Sequence, residues 1–138
     1  MDLSRFCWPV RVYYEDTDSD GVVYYANYLK FMERARTECL RAAGFEQDQL
    51  RQIQGILFAV HSVQVDFKRP ATFNDALEVS AQISEQRRAS LTFFQEIRRS
   101  GEEQVLCSGH IRIACVDAQS FRAIAIPDSI RLELTRVC

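Results

Sequence analysis

A change of hydrophobic period partway along the chain constrains its fold more than any other feature. Between residues 28 and 43 the apolar positions Tyr28, Met32, Ala35, Cys39 and Ala43 recur at intervals of four, three, four and four, with Leu29 and Leu40 alongside. That spacing is one face of a helix. Asn27 is read as its N-cap and Gly44 as the left-handed residue that closes it. Lys30, Arg34, Glu38 and Arg41 fall on the opposite, solvated side. From Leu77 the period becomes two. Leu77, Val79, Ala81 and Ile83 alternate with Glu78, Ser80, Gln82 and Ser84, and Val105, Cys107, Gly109, Ile111, Ile113 and Cys115 share one parity. The first is a strand with one wet face, and the second is a strand of about 35 Å. Ser100-Gly101 marks a hairpin turn after a strand at 93–98, and residues 10–14, 59–67 and 122–126 supply further strands.

One apolar helix followed by consecutive antiparallel strands is best buried by wrapping the sheet around the helix. The expectation is an α+β fold, one domain over residues 1–138, with a curved sheet of five to six strands. Phe93 and Phe94 have opposite parities, so the outer face of the sheet is expected to stay partly apolar and to be covered by a second subunit. Seventeen Lys plus Arg against 19 Asp plus Glu give a net charge of −2, which does not describe a nucleic-acid-binding surface. The longest apolar run, around Ile56 to Val60, is far below the ~18 residues of a membrane span. The start, Met1-Asp2-Leu3-Ser4-Arg5, has no apolar leader core, and the chain is read as cytoplasmic. Five cysteines without a C-x-x-C pair are read as reduced thiols, mostly buried, with no chemistry assigned.

Asp16, Asp18 and Asp20 crowd ahead of Gly21 and a helix start. Three carboxylates this close are costly unless a cation, a helix dipole or a substrate explains them. D-x-D-x-D-G matches the first six positions of a calcium-binding loop. The twelfth position is Asn27 where a bidentate Glu is required, and the preceding residues form a strand instead of a helix, so this reading fails. A turn with an acidic cap is the plain alternative. The third reading is a catalytic carboxylate: Gly21-Val22-Val23 can fold the loop back so that Asp18 and the free amides of the helix start face one site. His61 shares the parity of Ala59 and Val63 and reads as a core histidine, and the absence of a G-x-S-x-G elbow leaves a Ser-His-Asp hydrolase without support.

The segment from Tyr13 to Tyr28, YYEDTDSDGVVYYANY, with Glu33-Arg34-Ala35-Arg36 after it, closely resembles the active-site segment of hotdog-fold acyl-CoA thioesterases. The nearest type is YbgC, associated with the Tol-Pal system, and the 4-hydroxybenzoyl-CoA thioesterases are close relatives. Val60-His61-Ser62, Arg88-Ala89-Ser90-Leu91 and Arg122-Ala123-Ile124 extend the resemblance over most of the chain. It implies a hotdog fold and hydrolysis of acyl-CoA without metal or redox cofactor. It implies that Asp18 is the catalytic nucleophile or general base, and that the thioester carbonyl sits against the helix start at the Tyr25 main-chain N–H, with Gly21 and Val23 beside the substrate. Many YbgC-type chains carry His where this one has Tyr25, so that position is expected to act through its backbone. Asp20 replaces a small residue of the family loop and is expected to raise the pKa of Asp18 or to disfavour anionic acyl groups. Tyr14 is a weaker candidate for contact with Asp18 or the acyl group. Arg87 and Arg88 read equally well as a solvated turn or a diphosphate clamp; the resemblance favours nucleotide contact, with Ser90 and Arg122 alongside. A homodimer is expected at minimum, with a tetramer as the larger alternative. The rival class is a non-catalytic module that binds acyl groups or an acyl carrier protein.

Overall fold

The computed structural model describes residues 6–138. Residues 1–5, counted above within the domain and read as lacking a leader core, lie outside the described residues. The chain runs β1 (Phe6–Arg11), a 3-10 turn (Tyr14–Asp16), α1 (Tyr25–Ala42), a single helical turn α2 (Gln47–Gln49) continuing into a π turn (Leu50–Gln54), β2 (Ile56–Phe67), β3 (Ala76–Gln86), β4 (Ser90–Arg99), β5 (Val105–Asp117) and α3 (Asp128–Val137). The five strands form one sheet in the order β1-β3-β4-β5-β2, antiparallel throughout.

Alternation decides which face of each strand is buried. On β4, Leu91, Phe93, Gln95 and Ile97 are fully buried, while Thr92, Phe94, Glu96 and Arg98 are half-exposed on the other face. The buried set meets Tyr28, Phe31, Met32, Ala35 and Cys39 of α1, so the helix fills the concave side of the sheet as the hotdog resemblance implies. The two adjacent phenylalanines divide between the faces, as their opposite parities require. Phe93 points to the helix and only Phe94 of the pair faces outward, with its ring 5.0 Å from that of His110. More exposed apolar surface lies along β2, at Val60, Val63 and Phe67.

The core also holds a polar cross-link. Arg36 of α1 donates to Gln95 Oε1 at 2.9 Å, and Gln95 Nε2 donates in turn to the Met32 and Ser80 carbonyls. Burial pulls the guanidinium down to about 10, so it stays charged at neutral pH and this network must be fully bonded to be tolerated.

Several expectations are corrected. Asn27 is inside the helix, not its cap: α1 starts at Tyr25, and the buried Asn27 side chain donates to the Asp16 carbonyl at 2.8 Å. Residues 122–126 form no strand; Ala123 makes an isolated bridge to Val116, and the chain then enters α3, a helix of ten residues with Ile130 and Leu134 buried. The opening strand ends at Arg11, three residues before Tyr14. His61 is exposed at the bulge where the β2–β5 register shifts between Val60 and Ser62. The cysteines are not all thiols: Cys39 and Cys138 form a disulfide with Cα atoms 6.3 Å apart across 99 residues of sequence. Cys107 and Cys115 remain buried thiols, and burial pushes the Cys107 thiol up to about 12 and raises that of Cys115, which keeps both unreactive.

Candidate active site

The segment between β1 and α1 folds back on itself through its main chain. The Asp18 N–H donates to the Val22 carbonyl at 2.9 Å, the Gly21 N–H to the Asp18 carbonyl at 3.1 Å, and Thr17 bridges Val23. Gly21 turns the chain with φ of 82°, a conformation that favours glycine. Asp16 is buried and anchors both sides of the loop. Its carboxylate accepts from the Tyr13 N–H at 2.8 Å, and its carbonyl accepts from Tyr24 N–H and Asn27 Nδ2. Asp16 therefore serves the loop's shape. Among the described residues no three His, Cys, Asp or Glu side chains are gathered as a metal cage requires.

This folding leaves the start of α1 open. Its N-cap, Tyr24, makes no side-chain capping bond. The Asn27 N–H is satisfied by the Tyr24 carbonyl, whereas the Tyr25 and Ala26 N–H groups find no acceptor among the described residues. A helix start with free amides carries about half a positive charge and two aimed donors. In front of it lies a cavity of about 240 Å³ lined by Val23, Tyr25, Tyr28, Phe67, Lys68, Arg69 and Pro70. Val23 and Tyr28 form its buried floor. The Val23 N–H donates to the Ala71 carbonyl, and the Ala71 N–H donates to the Tyr28 hydroxyl, a phenol raised by burial. The Tyr25 side chain leans on Tyr24 and on Phe67 of the cavity wall, at ring distances of 4.7 and 6.1 Å.

Asp18 stands on the surface of the single chain and is not among the walls of that cavity. Its Oδ1 accepts from the Asp20 N–H at 2.9 Å, and its other oxygen has no partner among the described residues. Tyr14 is separate again: 76% exposed, it stacks on Phe73 at 3.7 Å and lines a groove of about 480 Å³ with Arg11, Tyr13 and Asn74.

The remaining candidates lie at the other end of the sheet. Phe67, beside the α1 start, pairs with Cys107 of β5, whereas Ser90 pairs with Ala114. Those two β5 positions are about 23 Å apart along the strand. Arg87 and Arg88 are exposed at the β3–β4 turn, with Arg87 Nε 2.9 Å from Glu85. Ser90 opens β4, 3.5 Å from Arg112 Nε, and the exposed Arg122 follows β5 with its carbonyl bonded to the Asp117 N–H. One chain therefore brings Asp18, Gly21, Val23 and Tyr25 to one end and Arg87, Arg88, Ser90 and Arg122 to the other, without joining them. The wall formed by Phe67, Lys68, Arg69 and Pro70 carries no motif that would have marked it; only its place at a strand exit, ahead of a proline turn, hints that it meets the helix start.

Comparison with known proteins bears on the family and the fold. A family model described as the thioesterase-like superfamily matches residues 12–134. The chain is 42% identical over 133 residues to an acyl-CoA thioester hydrolase YbgC of Escherichia coli, covering 96% of this chain and 98% of that one. It is 40% identical over 126 residues to the acyl-CoA thioesterase YbgC of Haemophilus influenzae, covering 91% of each. Among solved structures, one described as a probable thioesterase from Bartonella henselae superposes with a TM-score of 0.84 at 32% identity, covering 89% of this chain and 99% of that one.

Proposed function

The chain belongs to the thioesterase-like superfamily, and on that premise we propose that it hydrolyses acyl-CoA at the open start of α1, with Asp18 as the reacting carboxylate. The observation that carries this reading is the pair of unpartnered amides at Tyr25 and Ala26 beside a small cavity with Val23, Tyr28 and Phe67 on its apolar side and Lys68 and Arg69 on its charged side. Attack on a thioester carbonyl puts negative charge on its oxygen, and donors fixed beforehand at a helix start stabilise that charge without reorganising. Asp18 supplies the other half, by adding to the carbonyl carbon or by taking a proton from the water that does so; coenzyme A leaves as the thiol and the acyl group as the acid. Gly21 and Val23 shape the loop and the cavity floor, and Tyr25 acts through its backbone.

The substrate is longer than one end of the sheet, and a second copy supplies the rest. Antiparallel pairing of two β2 edges about a twofold axis sets the Phe67 end of one copy beside the Ile56 end of the other. That brings the partner's Arg87 and Arg88 toward this copy's Asp18, within the span of an extended coenzyme A, where two guanidinium groups suit its phosphates. Ser90 and Arg122 flank the same nucleotide subsite. The same packing covers Asp18, which is exposed in the single chain, and brings the exposed Tyr14 toward an interface. A tetramer would be a dimer of such dimers, and an acyl carrier protein could present the same thioester arm. The reading puts the reaction in the cytoplasm on the ground of its acyl-CoA substrate. No described helix is long and apolar enough to cross a membrane. The Cys39–Cys138 bond is unusual for that compartment.

Steady-state hydrolysis tests the proposal. Release of coenzyme A from short aliphatic, long aliphatic and aromatic acyl-CoAs is measured for wild type and Asp18→Asn. Turnover by wild type that is lost in a folded Asp18→Asn supports it. Equal turnover by both rejects Asp18, and binding without any turnover returns the binding-module reading.

A further inference from the structure

We infer that Arg131 of α3 is a positioning residue for the nucleotide end of the substrate, holding the β3–β4 turn in the shape that presents Arg87 and Arg88 outward. This rests on the reading of that turn as the nucleotide subsite. One Arg131 nitrogen, Nη2, donates to two successive carbonyls, Arg87 at 2.7 Å and Arg88 at 3.1 Å, while Nη1 donates to Gln86 Oε1 at 3.1 Å. A single planar guanidinium thus grips three consecutive residues. The Arg88 carbonyl accepts a further bond from the Ile126 N–H at 2.9 Å, and the Arg87 N–H closes the turn on the Ser90 carbonyl at 2.8 Å. With those carbonyls turned inward, the side chains of residues 87 and 88 are left exposed to solvent.

The choice of residue is informative. A positive charge beside two others is repulsive, and a neutral donor would brace a turn with less cost. Three guanidinium groups around one turn are sensible where the turn meets a multiply charged anion, whose field offsets the repulsion. The grip is also referenced to the core. Ile130 and Leu134 on either side of Arg131 are fully buried, the Cys138 carbonyl accepts from the Ile83 N–H at 2.9 Å, and Cys138 is bonded to Cys39 of α1. Order supplied before binding is order that the substrate does not have to impose.

The test compares one acyl group carried on coenzyme A and on pantetheine, which lacks the nucleotide. Wild type, Arg131→Ala, Arg131→Lys and the double variant Arg87→Ala/Arg88→Ala are assayed on both, with thermal midpoints recorded; Arg131→Gln replaces the alanine variant if that one does not fold. The expected result is a KM for acyl-CoA raised about five- to tenfold in Arg131→Ala, partly restored in Arg131→Lys, with KM for acyl-pantetheine and both kcat values close to wild type. If the double variant raises KM for acyl-CoA selectively while Arg131→Ala changes neither substrate, or both equally, the inference falls and the nucleotide subsite stands. If the double variant leaves KM unchanged for both substrates, the nucleotide subsite itself is wrong and Arg131 falls with it.

Discussion

Where β2 ends, the groups proposed to face the thioester come from one stretch of chain, residues 16–26, tied by its own main chain. Asp16, Asp18 and Gly21 take up the bonds that shape the loop, and Asn27 of α1 locks it from beneath. At the opposite end of the sheet, Arg87, Arg88 and Ser90 come from the β3–β4 turn and Arg122 from beyond β5, and a side chain from a third stretch, Arg131 of α3, draws two of them into place. The difference matches the work assigned to each end. Chemistry at a carbonyl needs donors fixed to a fraction of an ångström, which a short bonded loop and a helix start provide. Gripping phosphates tolerates longer, solvated side chains and gains mostly from net charge.

Substitutions should therefore separate by end. Asp18→Asn is expected to lower kcat about 10³-fold, about 4 kcal/mol, with thermal midpoint and KM little changed; single-turnover and steady-state assays measure it. Cys138→Ser, which frees α3 from α1, is expected to cost about 2–4 kcal/mol of stability in denaturant titration while kcat stays near wild type. Loss of kcat instead would show that the brace reaches the reacting end. The double variant Arg87→Ala/Arg88→Ala is expected to raise KM for acyl-CoA by about ten- to a hundredfold, an effect that weakens with added salt, and to reduce kcat far less than Asp18→Asn. Asn27→Ala removes one buried bond to a carbonyl that keeps a second donor, Tyr24 N–H, and is expected to cost about 1 kcal/mol of stability with a modest fall in kcat.

The contrast between the ends also explains what could be read from the residues alone. The helix stripe at Tyr28, Met32, Ala35 and Cys39 and the alternating strands were legible because burial imposes those periods directly. The Asp18 loop was legible as a local string. Asn27 misled because a good capping side chain has other acceptors within reach once the chain folds, here the Asp16 carbonyl eleven residues back. Ala123-Ile124-Ala125-Ile126 alternates like a strand, yet only Ala123 makes a bridge, because the segment leaves β5 after the Ile124 N–H meets the Cys115 carbonyl and its Ile126 N–H goes instead to the Arg88 carbonyl of the β3–β4 turn. α3 hides because only Ile130 and Leu134, one turn apart, are buried, too few to show a period. Nothing in the spacing of five cysteines links position 39 to position 138. The open helix start, the wall from Phe67 to Pro70 and the Arg131 grip are tertiary facts of the same kind.

Mixing two damaged chains tests most directly the claim that one catalytic site takes its carboxylate and its nucleotide grip from different copies. Asp18→Asn and Arg87→Ala/Arg88→Ala are each assayed alone and after dissociation and re-association in equal amounts, with acyl-CoA held well below KM. A site shared between copies regenerates one intact site in each mixed dimer, so activity should rise to about a quarter of wild type. Activity no greater than the average of the two variants would place both groups in a single chain and contradict the account.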